Sequence, residues 1–267
     1  MQFRYQNYLT SLGGLIVLEE ERLAKIISIL KIKKNMTNFD LCKHLFCSQS
    51  TLRRDLIKLE KDDLIRRTHG GASINSNSNS EFSYFFRETE HIDEKEYICN
   101  IANDFITHGQ ALFLDPSSTV NKLCDHLEDY SNLIIVTNGL RNALHLSKVE
   151  QVKVFIVGGE VKNNSTAVLG EVAGTFLKNF KADIAFISCR GADLDGIYEA
   201  DLNQALFKRH MIENAKKTIL LCDSSKFNST HFFKLTTYHN IDVLITNKKL
   251  DASYQEALEK CDCEIIY

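Results

Sequence analysis

Ser48-Gln49-Ser50-Thr51-Leu52-Arg53-Arg54-Asp55-Leu56-Ile57-Lys58-Leu59-Glu60 is the stretch that decides the first part of the fold. Ser48 has the short hydroxyl side chain that caps a helix, and Leu52, Leu56, Ile57 and Leu59 recur at helical spacing. On the N-terminal side, residues 20–30 carry Leu23, Ile26, Ile27 and Leu30 at i, i+3, i+4 and i+7, the pattern of an amphipathic helix. Thr37 caps a second short helix bearing Leu41 and Leu45. On the C-terminal side, Leu64-Ile65-Arg66-Arg67-Thr68-His69-Gly70-Gly71-Ala72 reads as a short strand entering a glycine turn. Three short helices followed by a basic hairpin predict a winged helix-turn-helix, mainly α, whose third helix enters the major groove of double-stranded operator DNA. Gln49, Ser50, Thr51 and Arg53 then stand nearest the base edges, while Ser48, Arg54 and Lys58 suit phosphates. Arg66, Arg67 and His69 carry the wing to the adjacent backbone or minor groove. The same basic residues would also serve as the solvated face of a protein-interaction domain.

The charge distribution supports a nucleic-acid-binding head. The 267-residue chain has a net charge of −3. Residues 1–72 hold 13 Lys and Arg against 8 Asp and Glu, so the remainder is net −8. A basic head on an acidic body fits a DNA-binding domain joined to something else. Ser73-Ile74-Asn75-Ser76-Asn77-Ser78-Asn79-Ser80 separates the two, because Ser and Asn bond to nearby backbone and supply no packed face. The expected plan is an extension of unassigned role over 1–18, the head over 19–72, a linker over 73–90 and a body over 91–267. Residues 1–18 mix polar side chains and glycines with apolar ones, unlike a secretory signal. With no apolar run long enough for a membrane span, a cytoplasmic protein without a membrane partner is expected. Eight scattered cysteines lack paired metal-binding spacing and read as reduced, mostly buried thiols.

Beyond the linker the pattern changes. Short apolar runs recur at 111–114, 133–136, 154–157, 184–188, 219–222, 243–245 and 265–267. Most are separated by helix-length stretches, such as 120–127, 140–146, 202–214 and 253–260. Alternating strand and helix predicts an α/β domain with a mainly parallel, Rossmann-like sheet and helices on both faces. Ligands of such sheets sit at the carboxyl ends of the strands. There the chain places Asp115, Ser117, Ser118 and Thr119; Thr137 and Asn138; Gly158 and Gly159; Asp193; and Lys226. Hydroxyls, a lysine and carboxylates at one sheet edge suit a phosphorylated, polyhydroxylated effector. Each also has a plain structural use: Ser117 to Thr119 as a helix cap, the glycines as a turn, and Asp193 as a cap or turn residue.

The head resembles the DeoR-type helix-turn-helix, whose S-x-x-T-[IL]-R-R-D-L-x-x-L-E core corresponds to residues 48–60 and whose H-G-G-A ending corresponds to His69-Gly70-Gly71-Ala72. Asp63 stands where that family usually has Gly, and family members mostly begin near Glu19. Residues 101–247 resemble the sensor domain of the same family through 115–119, Thr137-Asn138, Gly158-Gly159, Gly170 and 223–227. Ser117 replaces the usual Gly, and Arg190 stands where a small or uncharged residue is commoner. The resemblance implies a sequence-specific transcription regulator, a repressor of a carbohydrate-metabolism operon. It further implies control by a phosphorylated sugar, a homo-oligomer (dimer or tetramer), and no cofactor, metal or catalytic residue. The body is also similar to ribose-5-phosphate isomerase and the CoA-transferase-like folds. Gly191-Ala192-Asp193 matches part of that isomerase's D-G-A-D-E loop, and 223–226 its D-x-S-K. Aligned in this way, Arg209 falls where the isomerase has its catalytic Glu, and Arg190 where it has its first loop Asp. Arg cannot accept a proton at neutral pH. A cytosolic sugar-phosphate isomerase with a regulatory head is therefore the second reading.

Overall fold

A computed structural model describes residues 19–61, 64–75, 84–162 and 165–267. Residues 1–18, Asp63 and the centre of the Ser/Asn linker thus lie outside the described residues. The chain divides into two compact units, Met1–Ser80 and Glu81–Tyr267.

In the first unit, helix α1 (Glu19–Lys33) leads through strand β1 (Asn35–Thr37) to α2 (Asn38–Leu45) and α3 (Gln49–Lys61). Ile26, Ile27 and Leu30 of α1, Leu41 and Leu45 of α2, and Leu52, Leu56 and Leu59 of α3 form the buried faces. Both expected caps are present. Thr37 Oγ1 accepts from Asp40 N at 3.1 Å and Ser48 Oγ from Thr51 N at 3.2 Å. Strands β2 (Ile65–Thr68) and β3 (Gly71–Ile74) form the wing, and β3 pairs antiparallel with both β1 and β2. The turn needs its glycines. Gly70 has φ +97°, and a Cβ on Gly71 would lie 2.4 Å from Met36 O. Ser73 and Ile74, expected to open the linker, instead complete β3 and pair with Arg66 and Ile65. Asp55, the acid within the quoted stretch, is 2% exposed and grips Arg22 of α1 through both oxygens, at 2.5 and 3.0 Å. That pair fastens the third helix to the first.

In the second unit α4 (Tyr84–Thr89) occupies chain expected to be linker, and α5 (Ile92–Asn103) follows it. Tyr84 and Phe86 are buried, which explains the helix there. The alternation then runs β4 (Ala111–Leu114), α6 (Ser118–Leu123), β5 (Leu133–Thr137), α7 (Leu140–Leu146) and β6 (Val152–Ile156). A hairpin of β7 (Glu160–Val161) and β8 (Val168–Leu169) precedes α8 (Glu171–Leu177) and β9 (Ala182–Ile187). A second hairpin, β10 (Gly191–Asp193) and β11 (Gly196–Glu199), leads to α9 (Leu202–Asn214) and β12 (Ala215–Leu221). The chain ends with β13 (Phe233–Thr236), β14 (Val243–Ile245), α10 (Ala252–Glu259) and β15 (Glu264–Ile266).

Seven of these strands form one sheet in the order β15-β14-β12-β9-β4-β5-β6, with every neighbouring pair parallel. The sheet is buried on both faces. Leu112, Leu114, Ile184, Phe186, Ile219 and Leu221 face one core with α5 and α6, including Ile98, Ala102, Val120 and Leu123. The alternate residues Phe113, Ala185, Ile187, Leu220 and Leu244 face the other core with Ala173, Met211 and Leu258 of α8, α9 and α10. Period-two side chains with both faces covered make the strands read as continuous apolar runs. Strand β12 begins four residues before the expected 219, because Lys216 and Lys217 at its outer end conceal the pattern. A parallel sheet puts all its carboxyl ends on one edge, and the loops after β4, β5, β6, β9 and β12 meet there.

Candidate DNA-reading surface and effector site

Gln49, Ser50 and Arg53 of α3 line an open cleft of about 890 Å³ with Asn38 and Phe39 of α2 and with Arg67, Thr68, His69 and Gly70 of the wing. Arg54, one residue and about 100° further round the helix, does not line it. Gln49, Ser50, Arg53, Arg54, Arg66 and His69 are exposed. Others among the expected contact residues already have protein partners. Ser48 Oγ lies 2.9 Å from both Ser50 Oγ and Thr51 Oγ1 besides capping the helix. Lys58 is ion-paired to Glu19. Arg67 binds Glu60 twice, through Nε to Oε2 at 2.6 Å and through its backbone N to Oε1 at 3.1 Å. That ties the wing to the end of α3, so Arg67 orients the hairpin from a position inside the cleft wall.

At the sheet edge of the second unit, Asp115 after β4 is fully buried. Its Oδ1 accepts from Ser117 N at 2.8 Å, and its Oδ2 accepts from Ser188 N at 2.8 Å and pairs with Lys208 at 2.8 Å. Lys208 reaches in from α9, 3% exposed, and donates also to Glu199 Oε1 and to Ser188 O, both at 2.6 Å. All three ammonium protons are therefore placed. Burial alone would pull the Lys208 ammonium down, but Asp115 and Glu199 outweigh it and hold it above its usual range. Asp115 thus joins its own loop, the Ser188 backbone and Lys208.

Several other expected residues also stabilise their loops. Ser117 Oγ caps α6 by accepting from Val120 N at 3.1 Å, and Ser118 Oγ donates to Arg87 O at 3.2 Å. Thr137 Oγ1 donates to Leu114 O at 2.6 Å and accepts from Gly139 N at 3.0 Å. Asp193 accepts from Asp195 N, Gly196 N and Tyr198 Oη, closing the β10–β11 turn. Arg190 opens the same hairpin, its backbone N bonded to Tyr198 O at 2.9 Å. Gly159 lies against the β7–β8 hairpin, where a Cβ would come 2.5 Å from Leu169 O, while a Cβ on Gly158 would meet nothing within 4 Å.

The remaining groups have unused capacity. Lys226, on the short 3₁₀ turn Ser224–Lys226, donates to Ser188 Oγ at 2.8 Å. Its other neighbours are distant: Asp223 Oδ2 at 3.3 Å and Thr119 Oγ1 at 3.4 Å, against about 2.7–2.9 Å for a good charge-assisted bond. Burial would raise the Asp223 carboxyl, but Lys226, the Ser225 hydroxyl and His91 bring it down to about 2. A second ammonium belongs to the same neighbourhood. Lys95 of α5 is 4% exposed and donates to Arg87 O and, at 2.6 Å, to Glu90 O, which leaves one ammonium proton; burial followed by repulsion from Lys226 brings it down to about 8. Asn138 is fully buried; its Nδ2 donates to Val168 O at 3.1 Å, and its Oδ1 has no partner among the described residues.

Lys95 and Lys208 escaped the reading of the sequence, although each interrupts an apolar stripe. Lys95 precedes Ile98, Cys99 and Ala102 at i+3, i+4 and i+7, and Lys208 stands between Ala205 and Met211. A lysine on the buried face of a helix is the signal that was there to find. Ser188 and Glu199, single polar residues ending apolar strands, carried a weaker one.

The model of the DeoR-like helix-turn-helix domain matches residues 22–78, and that of the DeoR C terminal sensor domain matches residues 90–248. The chain belongs to the DeoR family of transcription regulators. This DeoR-family chain is 32% identical over 248 residues to the HTH-type transcriptional repressor GlcR of Bacillus subtilis (strain 168), covering 93% of this chain and 96% of that one. It is 30% identical over 241 residues to the glycerol-3-phosphate regulon repressor of Escherichia coli (strain K12), covering 90% and 95%. Among solved structures, ribose 5 phosphate isomerase A from Neisseria gonorrhoeae matches 51% of this chain and 53% of that chain, at 12% identity and a TM-score of 0.37. That overlap is too slight to argue from.

The family is one of regulators, not enzymes. Arg209 does not face the sheet-edge loops. Its Nε donates to Leu235 O at 2.7 Å and its guanidinium to Lys234 O at 2.5 Å, against β13. The residue that faces the loops is Lys208, one position and about 100° earlier, held protonated by two carboxylates. Among the described residues no group of three or more His, Cys, Asp or Glu could hold a metal ion. No described helix is long and apolar enough to cross a membrane.

Proposed function

We propose that this DeoR-family regulator represses genes of sugar metabolism, binding operator DNA through α3 and the wing and releasing it when a phosphorylated sugar occupies the sheet edge. The observation that carries the effector half is the buried Lys226 ammonium, with one short bond to Ser188 Oγ and long contacts to Asp223 and Thr119, in whose field the buried Lys95 also lies. Like charges held out of water call for an anion, and a phosphate oxygen would replace the long contacts of Lys226 to Thr119 and Asp223. Thr119, Ser118 and Asn138 would then meet the phosphate and sugar hydroxyls, with Gly158 and Gly159 lining the approach. Asp115, Ser117, Thr137 and Asp193 would shape the loops. In the head, Gln49, Ser50, Thr51 and Arg53 would read bases, and Arg54, Arg66 and His69 would hold phosphates; Ser48, Lys58 and Arg67 would set their geometry. A homo-oligomer in the cytoplasm, with paired heads on two half-sites, would complete the device. Relatives named for repression of a glycerol-3-phosphate regulon and as the repressor GlcR agree with this reading.

The test is a thermal-shift screen of phosphorylated sugars beside their unphosphorylated forms, followed by operator binding with each hit. A shift confined to phosphorylated compounds that also alters DNA affinity supports the reading. Equal shifts with both forms, or none, would overturn its effector half.

A further inference from the structure

Strands β9 and β12 are parallel neighbours with Ile187 opposite Leu220, so continuing the register brings Cys189 opposite Cys222. Their sulfurs lie 3.7 Å apart, and both are free thiols inside the same core. Neighbouring strands run about 4.8 Å apart, within the Cα separation a disulfide bridges. Each cysteine adjoins a residue that holds Lys226. Ser188, bonded to Lys226 Nζ at 2.8 Å, immediately precedes Cys189, and Asp223, its ion-pair partner, immediately follows Cys222. No part of the proposed effector reading uses the two sulfurs.

We propose that Cys189 and Cys222 are an oxidisable pair whose intrachain disulfide alters the anion site at Lys226; the second clause rests on the effector reading above. Hydrogen peroxide supplies the oxidising equivalents. The sulfur of Cys189 attacks one peroxide oxygen, the O–O bond breaks, and water leaves a sulfenic acid. Cys222 sulfur then attacks that sulfur, the S–O bond breaks, and a second water departs with the remaining thiol proton. Two thiols and one peroxide give one disulfide and two waters. The contact with Cys222, assisted by Lys226 and Lys208, holds the Cys189 thiol below its usual range and favours it as the attacking sulfur. Closing the gap from 3.7 Å to about 2.0 Å draws the ends of β9 and β12 together and moves Ser188 and Asp223 with them.

The full chain is titrated with hydrogen peroxide, digested under non-reducing conditions and mapped by mass spectrometry. Inorganic phosphate binding is measured before oxidation, after it, and after dithiothreitol. The expected results are a peptide pair joining Cys189 to Cys222 with two hydrogens lost, and phosphate binding several-fold weaker until reduction. Cys189→Ser and Cys222→Ser should each abolish both changes. Oxidation that stops at other cysteines, or a disulfide that leaves phosphate affinity unchanged, would overturn the proposal. The two readings fail separately. Absence of the disulfide sinks the modification site whatever the protein binds, whereas a reduced protein blind to phosphate sinks the effector reading and leaves the mapped disulfide to stand or fall by mass.

Discussion

Replacing Lys208 with Met keeps the unbranched apolar stem of the side chain and removes the ammonium that joins three parts of the sensor edge. The wild-type contacts are Asp115 at 2.8 Å, Glu199 at 2.6 Å and Ser188 O at 2.6 Å, all with side chains 4% exposed or less for the charged partners. After the change two carboxylates stay buried with no cation between them. Removing one partner from a buried ion pair costs about 3–5 kcal/mol, most of it the penalty of the charge left behind. For a unit of this size each kcal/mol lowers Tm by roughly 2–4 °C, so the drop should be about 6–20 °C. Urea and thermal unfolding of the full chain, followed by circular dichroism, measure it. Neutralising the carboxylates as well, in Lys208→Met with Asp115→Asn and Glu199→Gln, should recover part of the loss, because the uncompensated charge is gone. A loss below about 1 kcal/mol for Lys208→Met, the size of a surface pair, would refute the account. So would a triple variant less stable than the single one by the sum of the separate costs.

Asp55→Ala should destabilise the first unit by about 1.5–3 kcal/mol by removing the two charge-assisted bonds that join α3 to Arg22 of α1, and the loss of operator binding should follow the unfolding curve of that unit. Arg53→Ala should instead weaken operator binding several-fold with an unchanged Tm, as measured by fluorescence anisotropy at fixed salt; equal affinity would remove Arg53 from the cleft's reading face. Lys95 lies at about 8 in the folded protein against 10.5 for the free side chain, so the unfolded chain holds more protons between those values. Stability should therefore rise with pH across that window by about 3 kcal/mol, and Lys95→Met should flatten the rise in a pH series of urea melts. Phosphate affinity should move the opposite way, falling as pH passes 8 and Lys95 loses its charge. Asn138→Leu should cost about 1–3 kcal/mol, since it strands the buried Val168 carbonyl while removing one orphaned acceptor, and should abolish the thermal shift from any effector that shifts the wild type.

The parts of the fold written in local pattern were legible in the sequence. Thr37 and Ser48 cap the helices they precede because a short hydroxyl followed by an amphipathic run has few other uses. The strands of the large sheet announced themselves as apolar runs because both of their faces are covered. What the sequence concealed was long-range pairing. Arg22 and Asp55 are 33 positions apart, and nothing local marks the arginine as the partner of the acid. Asp115, Glu199 and Lys208 come from a loop, a strand and a helix, so their triangle exists only after the sheet has formed. Lys208 and Arg209 are neighbours in the sequence, and only the folded helix shows that the first meets the sheet edge while the second turns to β13. The start of the linker was misplaced for a similar reason: Ser73 has a polar side chain, but its backbone is claimed by strands on both sides.

The polar residues at the sheet edge thus divide by what they already hold, and that division says more about binding than their chemistry alone. Asp115, Thr137 and Asp193 could accept from sugar hydroxyls in principle, but each satisfies backbone or buried side-chain donors that would be stranded if it turned to a ligand. A ligand adds free energy only where the unliganded protein has left a group short. Lys226 with two long contacts, Lys95 brought down by burial and then by Lys226 with one ammonium proton beyond its bonds to Arg87 O and Glu90 O, and Asn138 with an unpartnered oxygen are such groups. They come from α5, from the end of β5 and from the turn after β12, so an anion that satisfies them draws separate elements toward one centre. A regulator needs this arrangement. An effector shifts an equilibrium only by the difference in its affinity for two states, and groups already satisfied in both states contribute nothing to that difference.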